Sequence, residues 1–174
     1  MLLGYILILI FIFIDQLTKI VIYNISNANP NFSRVIIPNV FELHYVINEG
    51  ASFGILSNMQ FLFAIITIIA LIIFGFLFFE INFKTKKTFS IGIILIIAGT
   101  FGNAIDRLFR SGGVIDMINM PILNDFLSKI GISAFVFNVA DFYMNLGIFL
   151  FFIDFIFFEK LRKGEKNEIQ ETIN

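Results

Sequence analysis

Four aspartates, Asp15, Asp106, Asp116 and Asp141, lie inside or against long runs of Ile, Phe and Leu. Lys19, Arg107 and Asp154 share that setting. A carboxylate in hydrocarbon costs roughly 2.5–3.5 kcal/mol even on the lenient insertion scale, so aspartates kept there point to chemistry before packing. Two neighbouring carboxylates cannot both ionise cheaply, so they share a proton and their pKa values split. One can then take a proton from water while the other polarises a carbonyl, which hydrolyses a peptide bond. Asp141, in F-N-V-A-D-F, is one natural member of such a pair. From spacing alone its partner is Asp106 or Asp116. Asp106 stands beside Arg107 and Asn103, which suits an ion-paired structural role. Asp116, in V-I-D-M, follows an S-G-G turn and has no adjacent cation, which favours it.

Other chemistries have little to work with. The chain has no Cys, which excludes disulfides, thiol nucleophiles and thiolate metal sites. Its single histidine, His44, makes a histidine metal site or a Ser-His triad improbable and reads as a surface residue. No metal or organic cofactor is expected. A net charge of −1 suggests no nucleic-acid partner.

The elements that must position the aspartates follow from composition. The chain is 58% hydrophobic and only 14% charged, against about 25% charged in an ordinary soluble domain. Lipid can solvate that much apolar surface; water cannot. Four segments, about residues 2–22, 59–79, 90–109 and 135–158, each approach the roughly 20 residues that cross a bilayer as a helix. The first lacks a basic start and a small-residue cleavage site, so it reads as a span, not a cleavable signal. Residues 1–158 form one membrane domain, and 159–174 a polar tail.

Lys84, Lys86 and Lys87 occupy the second connection, and Lys160, Arg162, Lys163 and Lys166 the tail. The first connection carries only Arg34, and the third only Arg110 and Lys129. Positive residues stay inside, which places both termini in the cytoplasm and the two longer connections outside. Without Trp, interfacial anchoring falls to Tyr and Phe.

Within the first outer connection, Val40–Asn48 alternates, with Phe41, Leu43, Tyr45 and Ile47 on one side. That pattern predicts a strand of a small sheet on the outer surface. Pro38-Asn39 and Asn48-Glu49-Gly50 bound it as turns. Ser111-Gly112-Gly113 marks a turn in the third connection, and a short helix follows Pro121.

This topology aligns the polar residues in depth. Asp15 and Lys19 fall in the last third of the first span, at i and i+4. Asn103, Asp106 and Arg107 fall in the last two turns of the third. Asn138, Asp141 and Asn145 open the fourth, and Asp116 lies just past the third. One polar site near the outer leaflet is the expectation. Asp154 lies at the opposite end and reads as a snorkelling or interfacial residue. A small proton- or ion-coupled transporter is the alternative, but its carboxylates would line a path across the membrane. A scaffold protein would have no need of an aspartate pair.

Along its length the chain resembles the lipoprotein signal peptidases, the type II signal peptidases of bacteria. The resemblance rests on D-Q-L-T-K (Asp15–Lys19), N-E-G-A-S-F (Asn48–Phe53), G-N-A-I-D-R (Gly102–Arg107), V-I-D-M (Val114–Met117) and F-N-V-A-D-F (Phe137–Phe142). It implies an α-helical integral membrane protein with four transmembrane helices, a small extracytoplasmic β-cradle and a short outer helix. It implies an aspartic endopeptidase that cuts the signal peptide from a prolipoprotein before a diacylglyceryl-modified cysteine, with Asp116 and Asp141 as catalytic pair. Asn138 would orient the pair, with Ala140 in the same motif. Asn48 and Gly50 match a motif near the substrate groove, and Asn103, Asp106, Arg107, Asp15 and Lys19 match supporting positions. The resemblance further implies a site in the bacterial cytoplasmic membrane in contact with lipids, and inhibition by globomycin-type compounds. The stretch between Asp116 and Asn138 corresponds to a region where the family varies.

Overall fold

The structure, a computed structural model, describes residues 1–29, 32–49, 60–110, 112–159 and 161–162. Where water is absent a backbone must satisfy its own polar groups, which a helix does within one segment. The apolar runs accordingly form α1 (Leu2–Ala28), α2 (Gln60–Phe78), α3 (Lys87–Phe109) and, after a shorter helix α4 (Pro121–Lys129), α5 (Val139–Ile153). A π-helical turn, Asp154–Phe158, continues α5. Three of these segments, Leu2–Ala28, Lys87–Phe109 and Val139–Phe158, are long and apolar enough to cross a membrane. The fourth, apolar over Leu62–Phe78, is shorter. Helix α1 runs past the expected end near residue 22 to Ala28.

The helices pack around α3, of whose most apolar stretch 72% is buried, against 22% for those of α1 and α5. The outer helices turn Leu9, Phe13, Phe149 and Phe152 outward, a surface that only an apolar solvent would favour. α3 and α5 meet along small residues. A Cβ on Gly92 would stand 3.0 Å from the carbonyl oxygen of Gly147, and one on Gly147 would stand 2.7 Å from that of Gly92. Gly99 faces the Ala140 carbonyl as tightly. Close backbone approach at small residues is how helices associate where the hydrophobic effect is lost. This seam fixes the start of α5 against the last turns of α3. One apolar cluster, including Ile8, Phe78, Ile93 and Ile97, fills the other end of the bundle.

Four antiparallel strands, β1 (Ser33–Ile37), β2 (Phe41–Asn48), β3 (Val114–Asn119) and β4 (Val136–Phe137), lie side by side in chain order. Ile22 from α1 meets Ile115 and Met117 beneath the sheet. The strand expected at Val40–Asn48 is present as β2, but its alternation is interrupted. Leu43 pairs with Ile118, whereas Val46 pairs with Asp116, so β2 carries one residue more than β3 between these pairs. Such a bulge exchanges the faces of a strand. Leu43 and Tyr45 still pack against the cluster of Ile22, Ile115 and Met117, but beyond the bulge Ile47 is exposed, and Asn48 comes to lie on the face of Asp116. The expected turn at Gly112-Gly113 has φ +111° and +125°, and a Cβ on Gly113 would run into the backbone of Asn48. Its first residue, Ser111, lies outside the described residues. α4 begins at Pro121, as expected, with proline in the first turn where its missing N–H costs nothing.

Candidate active site

The site is built from α1 upward. Lys19 Nζ lies 2.9 Å from Asp15 and 3.0 Å from Asp106, and all three side chains are fully buried. The i,i+4 pair expected in α1 is thus one half of a triad. Asp106 does not pair with Arg107, as their adjacency suggested. Neighbours in a helix point about 100° apart, so the α3 cation that joins Lys19 at Asp106 is Arg110, one turn on, with Nε 2.9 Å away. Arg107 is half-buried and sets its guanidinium 5.5 Å from the centre of the Phe63 ring, with Asp141, Asp116 and Asp106 as its electrostatic neighbours. Gln16, which the sequence reading passed over within D-Q-L-T-K, donates to Asp15 at 3.1 Å, to the Gly102 carbonyl at 3.0 Å and to Asp106 at 3.3 Å. Two anions and two cations balance, and a buried ion cluster of this kind holds only when its members are mutually paired.

The two buried aspartates also reach out to the remaining elements. Asp15 Oδ1 accepts the N–H of Ala140 at 3.0 Å, and Asp106 Oδ2 accepts the N–H of Ile115 at 3.2 Å. Ala140 immediately precedes Asp141, and Ile115 immediately precedes Asp116. The ion cluster therefore grips the backbone one residue ahead of each member of the expected pair.

Two asparagines join that pair. Asn138 caps α5: its Oδ1 accepts from the Asp141 N–H at 2.9 Å, and its own N–H donates to Asp141 Oδ2 at 3.1 Å. This reciprocal capping box settles the orientation of the Asn138 amide. Its Nδ2 is left to donate to Asp116 Oδ1 at 2.8 Å and to Asn103 Oδ1 at 3.0 Å. Asn103 Oδ1 also accepts from Lys19 Nζ at 2.9 Å, so its Nδ2 faces Asp141 Oδ1 at 2.7 Å. From β2, Asn48 Nδ2 donates to Asp116 Oδ2 at 2.8 Å. Asp116 is 2% exposed; burial first, and the charge of Asp141 second, push its carboxyl from 3.8 up to about 7. Asp141 is half-buried.

A cavity of about 380 Å³ opens over Asp116 and Asn48. Val46 and Ile47 form one wall, and Ala134, Phe135 and Val136 the other. The arrangement offers two carboxylates joined through asparagine amides, and a mostly apolar recess beside them. It can activate water against a carbonyl.

Of the residues singled out from sequence, Asp15, Lys19, Asn48, Asn103, Asp106, Asp116, Asn138, Ala140 and Asp141 come together in this network. Gly50 and the rest of its motif through Phe53 lie outside the described residues. Asn145 is exposed and donates only to the Asp141 backbone carbonyl, at 2.9 Å. Asp154, expected to snorkel or to lie at the interface, is buried at 2% exposure and paired with Arg162, Nη1 to Oδ1 at 3.0 Å. A carboxylate left in that apolar turn needs a fixed cation, and Arg162 supplies one from two turns on.

Apolar helices gathered around an amide-bridged pair of carboxylates define a membrane protein with a hydrolytic type of centre. A family model described as "Signal peptidase (SPase) II" matches residues 7–157. The lipoprotein signal peptidase of Clostridioides difficile (strain 630) is 40% identical over 157 residues, covering 89% of this chain and 96% of that one. That of Latilactobacillus sakei subsp. sakei (strain 23K) is 36% identical over 161 residues, covering 92% and 98%. A solved structure, a bacterial membrane enzyme obtained by the in meso method at 1.9 Å, superposes with a TM-score of 0.71 at 31% identity over 88% of this chain and 92% of that one. The chain belongs to the signal peptidase II family, the lipoprotein signal peptidases, which are membrane-bound aspartic peptidases of bacteria. These relatives lend the transporter alternative no support.

Proposed function

We propose that Asp116 and Asp141 are the catalytic pair with which this chain cuts a prolipoprotein signal peptide immediately before a diacylglyceryl-modified cysteine. The observation that carries the assignment is the bridge of Asn138 and Asn103, which ties one carboxylate to the other while Asn48 holds the outer oxygen of Asp116. One carboxylate, ionised, takes a proton from water. The other, protonated, donates to the scissile carbonyl oxygen as the water oxygen adds to the carbon. Collapse of the tetrahedral intermediate breaks the C–N bond, and the nitrogen leaves with a proton from the pair. Asn138, Asn103, Asn48 and Ala140 hold the pair in place, and Asp15, Lys19 and Asp106 hold the backbone that carries it. Arg107, near both carboxylates but hydrogen-bonded to neither, supplies positive potential at the site, and Gly50 shares with Asn48 the motif that the family resemblance assigns to substrate.

In the same reading, residues 1–158 form one domain that crosses the bacterial cytoplasmic membrane four times, α2 completing the count. Both termini are cytoplasmic, including the tail from residue 159, and the sheet, α4 and the catalytic pair face the outer leaflet. Acyl chains of the modified cysteine enter sideways from the lipid, and the signal peptide lies along the sheet. Globomycin-type compounds inhibit it.

Purified Asp116→Asn and Asp141→Asn, given a diacylglyceryl-modified prolipoprotein in detergent, should each lose cleavage by at least about a thousandfold, the scale of losing a member of a catalytic unit. Wild-type turnover in either variant removes that residue from the pair.

A further inference from the structure

The stretch from Gly131 to Phe135 joins α4 to β4 without forming helix or strand, yet it supplies a wall of the cavity over Asp116. One side chain holds it. Asn124, on α4, accepts the Phe135 N–H at Oδ1 at 3.1 Å and donates through Nδ2 to the Phe135 carbonyl, also at 3.1 Å. These two backbone partners settle which end of the amide is which. Nδ2 then also donates to Asn119 Oδ1 at 2.8 Å, and Asn119 Nδ2 donates in turn to Glu42 Oε2 at 2.8 Å. Glu42 accepts as well from His44 Nε2 at 2.9 Å. His44 and, after it, Asn119 hold the Glu42 carboxyl below its ordinary range, so the chain of donors ends on an anion. A directed line of hydrogen bonds thus runs from β2, through the end of β3 and α4, to the backbone of Phe135.

We infer that Asn124 is a positioning residue for substrate: by clamping both backbone groups of Phe135 it fixes the wall of the cavity that receives the chain beside the scissile bond. This rests on the peptidase reading above. The cavity borders Asp116, so the substrate residue it takes is one flanking the cut. Its walls are aliphatic and aromatic apart from Asn48, Glu49 and Asp116. The matching substrate side chain is apolar, and its permitted size is set by where Phe135 stands. Nothing in this line of bonds touches Asp141, so the chemical step does not depend on it.

The test compares Asn124→Ala and Asn124→Asp with wild type on a lipidated substrate, varying the apolar residue next to the cut from small to large. Two hydrogen bonds to backbone are lost in Asn124→Ala, so KM should rise about tenfold while kcat stays within about twofold. The preference for small over large residues should fall. Asn124→Asp is the sharper arm. It preserves size but turns an oxygen toward the Phe135 carbonyl and Asn119 Oδ1, so it should be at least as damaging as Ala. If Asn124 merely fills space, Asp will behave as wild type and the inference is overturned. The Cys-free chain allows a second readout that needs no turnover. A spin label on Ser133→Cys, at an exposed position outside the cavity wall, should be markedly more mobile in both Asn124 variants. Unchanged mobility also overturns the clamp. Loss of cleavage by wild type itself would instead count against the peptidase reading, leaving the label result to judge the clamp alone.

Discussion

At the scale of single residues, the environment of Asp116 makes the firmest demand. Its carboxyl, near 3.8 when exposed, is pushed up to about 7 by burial and by Asp141. Below about pH 7 the folded protein therefore keeps a proton there that the unfolded chain would release above about 4. The associated stability is full below pH 4 and is lost as pH rises through 7. Catalysis follows the same proton: kcat/KM should hold through mildly acidic pH and decline above about 7, as the pair loses the proton it must share. Infrared difference spectroscopy should find a protonated carboxyl band at pH 6 that is absent from Asp116→Asn. In Asp141→Asn the neighbouring charge is gone, so that band should titrate away at lower pH than in wild type. A band that titrates at the same pH in both would mean that the two carboxylates do not feel each other. Lys19 is the second such residue. It lies between Asp15 and Asp106, fully buried, and Lys19→Met would leave two carboxylates facing each other with Arg110 alone to balance them. A destabilisation of about 3–5 kcal/mol is expected, the usual result of breaking a buried pair by removing one partner. Denaturant unfolding in detergent measures it. Because Asp15 and Asp106 hold the N–H groups ahead of Asp141 and Asp116, kcat should drop even in the fraction that remains folded.

At the scale of elements, what could be read in advance was what periodicity and cost make unavoidable. Carboxylates in apolar helices declare themselves, since few sequences tolerate them, and Asp15 with Lys19 satisfied the i,i+4 rule. Helical spacing also contained the partner of Asp106, for Arg110 stands at i+4, but adjacency drew attention to Arg107. The partner of Asp154 was hidden for a related reason: its cation, Arg162, is eight positions on and reaches it across a π-helical turn that no propensity marks. The bulge in β2 was equally hidden. An extra residue in a strand is a property of the pair, visible only once β3 is laid beside it, and without it Asn48 would face away from Asp116. The glycine at 113 shows how strictly that pairing is held. Its φ of +125° and the closeness of the Asn48 backbone leave no room for a side chain. Gly113→Ala should cost about 1–3 kcal/mol in strain and displace Asn48 from Asp116. Activity should fall accordingly, with the α3–α5 seam undisturbed. Amide hydrogen exchange can separate these effects, rising in β2 and β3 while α3 remains protected. Exchange that rises equally in α3 would show that the sheet and the helices unfold together.

The whole molecule divides polar work from apolar support along its length. α3 stands inside a ring of helices whose outward faces are Leu, Ile and Phe, and the ion cluster, the asparagine bridge and the sheet all gather toward one end. The lysines of the connection between α2 and α3 gather at the other, where Lys86 pairs with Glu80 at 3.2 Å. The Asp154–Arg162 pair follows the last apolar turn of α5, away from the asparagine bridge at its start. Positive charge resists translocation, so the lysine end should stay in the cytoplasm and the sheet should lie outside. Because the chain has no cysteine of its own, single substitutions can report this directly. Lys84→Cys, in the lysine connection, should react with a membrane-impermeant maleimide only after the cells are permeabilised. Ser133→Cys, exposed beside the cavity wall, should react in spheroplasts that are still sealed. The opposite pattern would turn the site toward the cytoplasm, where a signal peptide already threaded across the membrane could not present its lipidated cysteine. Labelling of both positions from outside would place the lysine connection and the sheet on one side, which an α3 crossing between them forbids. Only the first pattern lets one short enzyme meet its substrate at the outer leaflet while its basic ends remain anchored within.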